Sequence, residues 1–150
     1  MRRYFEQFDS WFIHLLRKLS MPAARVALFI VFFWFGILKI LGLSPAGPMV
    51  MDLMEATLPF MEWGTFIIIF AIYEMLIGIS FLIPRLARFA IALLIPHMVM
   101  TTLPLIFLPA MTWQSILVPT LEGQYIIKNL VIVALAMGVA AHLHPFHRNK

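Results

Sequence analysis

Four long apolar stretches, separated by short segments that collect most of the charge, set the pattern of this chain. Residues 24–43, 64–83, 89–108 and 124–141 are each apolar over about 20 positions, the number a helix needs to cross the hydrocarbon core of a bilayer. Each is bounded by breakers or charge. Gly42, Pro45, Gly47 and Pro48 follow the first, Pro84-Arg85 the second and Pro109 the third. Ahead of them, Phe5, Phe8, Phe12, Leu15, Leu16 and Leu19 recur at steps of three and four, with Arg2, Arg3, Glu6, Asp9, Arg17 and Lys18 mostly on the other side. That spacing predicts an amphipathic helix over residues 1–20, suited to the membrane interface. The unit it belongs to is expected to end near Pro22, over residues 1–23. The expected architecture is all-α: four transmembrane helices packed up and down within residues 24–141, an interfacial helix before them and a tail over residues 142–150. Between Pro48 and Pro59, Met49, Val50, Leu53, Met54 and Leu58 predict a short helix with one apolar face. The long, non-alternating apolar runs exclude a β-barrel, and no repeat period marks a solenoid.

Composition narrows the reading. Of 150 residues, 63% are hydrophobic and 12% charged, about half the charge density of a soluble domain, and the mean hydropathy is +0.96. One compact domain fits this length. No cysteine is present, so disulfides, thiolate metal sites and thiol redox chemistry within the chain are excluded. The segment before the first span is too polar for a signal-peptide core, and the first span is expected to direct insertion.

The net charge of +4 matters less than where the charges fall. Arg2, Arg3, Arg17, Lys18 and Arg25 precede or begin the first span, Arg85 and Arg88 lie between the second and third, and Arg148 and Lys150 follow the fourth. The two remaining connections hold no lysine or arginine, and the first carries Asp52, Glu55 and Glu62. The positive-inside rule then places both termini in the cytoplasm of an inner-membrane protein. Trp63 and Trp113 suit the outer interface and Trp11 the inner one. The basic residues follow topology, and nothing points to nucleic acid.

Ionisable groups inside the spans are the candidates for chemistry, because charge at membrane depth is costly and faces the bundle interior or a cavity. They are Lys39, Glu74, His97 and Lys128. At about 1.5 Å of rise per residue, the lysines lie roughly 6 Å below the outer ends of their spans and Glu74 roughly 15 Å down, with His97 at a similar depth. Three states of Glu74 are open: an ion pair with Lys39 or Lys128, a protonated carboxyl donating a hydrogen bond, or proton exchange with His97. Pro96 and Pro104 should bend the third span or free carbonyls that His97 can use. Around the start of the fourth span, Glu122, Gln124, Tyr125, Lys128 and Asn129 supply more hydrogen-bonding capacity than an anchor requires, and Thr120 or Glu122 can cap the helix. The tail histidines His142, His144 and His147 read as solvated, and no metal site is expected.

The order of Arg25, Phe33-Trp34-Phe35-Gly36-Ile37-Leu38-Lys39, Glu74 with Gly78 ahead of Pro84, and Leu121-Glu-Gly-Gln-Tyr-Ile-Ile-Lys128-Asn129 resembles the DoxX-like superfamily of small bacterial four-span proteins, in its branch of unknown function. The likeness runs from Arg25 to about Met137. It implies a four-helix membrane bundle and, through relatives that are subunits of a thiosulfate:quinone oxidoreductase or partners in oxidative and reactive-chlorine defence, a role near redox or stress physiology. The first expectation is therefore a non-catalytic or quinone-associated membrane subunit with no redox centre of its own, a quinone being the one cofactor in view and Glu74, Lys39, His97 and Lys128 the lining of its pocket. A transporter or channel for a small solute or protons is the second. An assembly partner is the third, with Gly64, Gly78, Ala134, Ala136 and Gly138 permitting close helix contact in a homo-oligomer or with another protein. Membrane lipids are expected partners in every case.

Overall fold

The computed structural model describes residues 2–143, with side chains from Tyr4 onward; the tail from position 144, including His144 and His147, lies outside them. Helix α1 runs Arg2–Ile40, α2 Gly47–Thr57, α3 Trp63–Leu82, α4 Ala87–Thr102, α5 Pro104–Phe107, α6 Pro109–Thr112 and α7 Leu121–Ala141. A 3-10 turn, Pro84–Leu86, joins α3 to α4. Four helical stretches are long and apolar enough to cross a membrane: Tyr4–Ile40, Trp63–Leu82, Pro84–Phe107 and Leu121–Ala141. The protein is accordingly a mostly helical, multi-pass membrane protein.

The largest departure from expectation is at Pro22. The amphipathic segment and the first span are one helix of 39 residues with Pro22 inside it, where a boundary was expected. A proline forfeits one backbone hydrogen bond, and the apolar residues on both sides support helix strongly enough to carry the chain across. Pro96 likewise lies within α4. Pro104 does end a helix: it opens α5 after Leu103, so the third span is built from two pieces.

The most extensive contact in the fold is between α1 and α3; α3 also packs on α4, α4 on α7, and α7 closes back on α1. Arg25 meets Phe81 and Lys39 meets Glu74, so α1 and α3 run antiparallel. The core where the four meet contains Leu28, Phe32, Ile77, Phe81, Leu94 and Val139. Arg25 donates from Nη1 to the Phe81 carbonyl at 3.1 Å, satisfying one of the last carbonyls of α3 and placing a cation at the negative end of that helix.

Helix α2 forms in the predicted place and buries Met54. The segment before α7 holds a feature that periodicity did not signal. Trp113–Ser115 and Val118–Pro119 pair as a small antiparallel hairpin through Ile116 and Leu117, the latter at φ 60. Trp113 Nε1 donates to the Leu105 carbonyl at 3.0 Å. Thr120 joins the hairpin to α7: its backbone N–H donates to the Thr112 carbonyl at 3.0 Å, and its hydroxyl donates to the Met111 carbonyl at 2.6 Å while accepting from Gly123 N at 3.1 Å. Thr120, rather than Glu122, is thus the N-cap. Thr120→Ala should cost about 1–2 kcal/mol, the upper part of the range for a lost cap, and Thr120→Ser should recover most of it. Equilibrium unfolding in mild detergent checks this; equal stability of all three proteins would show that the cap contributes nothing.

A buried lysine–glutamate–histidine centre

Three of the four ionisable groups expected inside the membrane meet at one point. Glu74 lies on α3 between α1 and α4. Its Oε2 accepts from Lys39 Nζ at 2.6 Å, and its Oε1 accepts from His97 Nε2 at 3.1 Å. Lys39, Glu74 and His97 are 7%, 5% and 2% exposed. Aromatic rings pack against the three groups. Lys39 Nζ is 5.4 Å from the centre of the Phe70 ring. The His97 ring stacks on Phe70 at 5.4 Å and takes the edge of Phe32 at 5.3 Å. Tyr73 lies alongside at 6.0 Å, fixed by its hydroxyl donating to the Leu93 carbonyl at 2.6 Å.

Local sequence explains how the groups come so close. Gly36 is three residues before Lys39, and Gly78 is four after Glu74, so each glycine sits one turn from a charge. A Cβ on Gly36 would lie 2.8 Å from the Ala71 carbonyl and 2.6 Å from Met75 Cγ. A Cβ on Gly78 would lie 2.9 Å from Phe33 N and 3.1 Å from the Phe29 carbonyl. Each helix therefore offers a glycine to the other's backbone, and the shortened separation lets Lys39 reach Glu74.

Electrostatically the centre is a lysine cation against a carboxylate, with His97 as the carboxylate's second donor. A carboxylate only accepts, so Nε2 is the proton-bearing nitrogen. That leaves His97 Nδ1 buried without a hydrogen-bond partner, an open valence in an otherwise closed network. Neither the groove beside Glu6 and Trp11 nor the one between α4 and α7 is lined by Lys39, Glu74 or His97.

The other candidates form a second, separate group on α7. Lys128 is exposed and holds Nζ 5.1 Å from the centre of the Tyr125 ring. Glu122, Gln124 and Tyr125 are exposed as well. Asn129 is half-buried and donates from Nδ2 to Thr101 Oγ1 at 3.3 Å, tying α7 to α4. Beside it a groove of about 190 Å³ runs between α4 and α7, lined by Met98, Thr102, Leu105, Ile126, Leu130 and Val133 as well as Asn129. No group of three or more His, Asp or Glu among the described residues could hold a metal ion.

No family model, curated protein or solved structure matches this chain. Any assignment therefore rests on the residues and their geometry.

Sequence reasoning singled out the charged members of the centre but passed over Phe32, Phe70 and Tyr73, which enclose it, because aromatic residues are common throughout such spans. Of the small residues expected to allow close helix contact, Gly78 and Ala136 are buried, whereas a Cβ on Gly138 would meet nothing within 4 Å. Helix periodicity would have found Gly36, since it shares a face with Phe32 and Lys39.

Proposed function

We propose that this chain is a non-catalytic subunit of the bacterial inner membrane that holds a quinone-type amphiphile in support of redox or oxidative-stress physiology. In this reading the spans form an up-and-down bundle, and the basic segments set both termini in the cytoplasm. The observation that carries the ligand assignment is the groove between α4 and α7: an apolar trough with Asn129 and Thr102 in its wall. Small amphiphiles are recognised by apolar walls with a few placed polar groups. Its volume, about 190 Å³, is below the roughly 300–1,000 Å³ of pockets that enclose a whole ligand. It suits a ring or a stretch of isoprenoid tail, the remainder lying among lipids. Asn129 would donate to a quinone carbonyl, while the quinone itself would carry electrons. The Lys39–Glu74–His97 centre then has a separate task, holding α1, α3 and α4 in register.

The test is mass spectrometry of the protein purified in mild detergent. A quinone at near-stoichiometric level is expected, reduced several-fold by Leu130→Trp, which fills the groove from an exposed position, and by Asn129→Ala. Absence of quinone from the unaltered protein would end the assignment, and so would undiminished quinone in both variants. A proton-conducting reading draws on one observation, the unpartnered Nδ1 of His97. It would replace the first if liposomes holding the protein passed protons and His97→Gln abolished that flux.

A further inference from the structure

The connection between the third and fourth spans stands apart from the others in charge. From Phe89 through Leu121 the chain has no Asp, Glu, Lys or Arg. The connection around α2 holds Asp52, Glu55 and Glu62, and the turn at Pro84–Leu86 holds Arg85. Charged side chains collect where a chain meets water. The hairpin of Trp113–Ser115 and Val118–Pro119 lies in the charge-free stretch, and its apex is apolar. Ile116 is 92% exposed and Leu117 84%, with Val118 exposed beside them. Leu117 adopts φ 60, a left-handed backbone that Gly, Asn or Asp takes at far lower cost. A tip that met only water would favour one of those residues. Leucine gives up backbone ease for apolar surface.

Hydrogen bonds at the base fix the level of the hairpin against the spans. Trp113 Nε1 is bonded to the carbonyl of Leu105, two residues from the end of the span Pro84–Phe107. Pro119, paired with Trp113, is two residues from the start of the span Leu121–Ala141. From Trp113 to Ile116 is about 10 Å of extended chain. The headgroup layer is roughly 5–8 Å deep on each face of a bilayer. In whatever direction the hairpin leaves its base, its apex therefore stays at about the level of the headgroups. Ile106, Phe107 and Leu121, at the adjoining span ends, are exposed apolar side chains as well.

We propose that the apex is a lipid anchor, with Ile116, Leu117 and Val118 seated at the boundary between headgroups and acyl chains on the hairpin side of the bilayer. The occupant follows from position. Lipid surrounds the spans at this level, and a protein partner would first have to displace it. The stretch also offers no charge to orient such a partner. Burial of the apolar tip offsets the backbone cost at Leu117, and water among the headgroups still reaches the amides of the turn. Trp113 is placed as an interfacial aromatic. Anchored in this way, the hairpin holds Thr120, and with it the start of α7, at a set depth.

With no native cysteine, a nitroxide can be attached at one site at a time in the full chain, reconstituted in phosphatidylethanolamine–phosphatidylglycerol vesicles. Labels at Ile116→Cys and Leu117→Cys are expected to collide with molecular oxygen, which partitions into lipid, several-fold more than with a water-soluble nickel chelate. A label at Glu55→Cys, exposed on α2, is expected to show the reverse. Leu117→Asn suits the same backbone conformation and should cut the oxygen preference of the label at position 116 several-fold. Nickel access at 116 and 117 equal to that at 55 would overturn the proposal, placing the apex in water. Low access to both reagents would overturn it too, placing the apex against protein. So would an oxygen preference unchanged by Leu117→Asn, since the tip would then meet lipid without anchoring there.

Discussion

Glu74→Gln is expected to destabilise the protein by about 3–5 kcal/mol, the cost of leaving one partner of a buried ion pair uncompensated. The amide keeps the shape of the side chain, and its oxygen can still accept from His97 Nε2, now 3.1 Å from Glu74 Oε1. What it removes is the charge facing Lys39 Nζ at 2.6 Å. Lys39 is 7% exposed, enclosed by Phe70 and the α1–α3 contact, so it cannot regain water without opening the bundle. Pairing Glu74→Gln with Lys39→Met removes both charges and should restore most of the loss, because the expense lies in the orphaned cation rather than in the absent pair. Unfolding equilibria in bicelles, for the parent, both single variants and the double variant, read this directly. Parent-like stability of Glu74→Gln would mean that Glu74 does not neutralise Lys39. A double variant as unstable as Glu74→Gln would mean that the carboxylate acts through something other than the lysine.

How far this centre could be read in advance depends on which coordinate is considered. Depth along the membrane follows from counting residues, and it placed Glu74 and His97 at the same level and both lysines within reach. Lateral position does not follow from counting. Nothing in an isolated span says which neighbour its polar face meets, so Lys39 and Lys128 remained equal candidates. The α1–α3 contact decides for Lys39, while Lys128 lies exposed over Tyr125. The spans were legible because apolar length is a strong signal: α3 occupies Trp63–Leu82 against an expected 64–83. Helix α7 starts three residues earlier than expected because Thr120 caps it. Pro22 was misread as a boundary because proline's local penalty is plain in sequence, whereas the support from residues on either side is not. The hairpin at Trp113–Pro119 left no alternating pattern, since its strands are only three and two residues long.

Gly36→Leu should be the second severe substitution, through sterics rather than charge. The first atom it adds already meets the Ala71 carbonyl at 2.8 Å, and backbone of a packed helix cannot step aside as a side chain can. Overpacking of this kind costs about 1–3 kcal/mol and sometimes more. Leucine, with a branched end to place, belongs at the upper limit, and Gly36→Ala belongs at the lower one. The damage should reach the ion pair, because pushing α1 from α3 draws Lys39 away from Glu74. Gly36→Leu and Glu74→Gln should then be less than additive, as expected for residues sharing one contact. Gly138→Ala is the contrasting case. It lies in α7 with nothing within 4 Å of the added methyl, and alanine's better helix propensity should stabilise by up to about 1 kcal/mol. Opposite signs at Gly36 and Gly138, measured by the same unfolding equilibrium, would show that the α1–α3 approach sets the geometry of the centre. A neutral Gly36→Leu would show that the helices can part without cost, and the short Lys39–Glu74 contact would then need another cause.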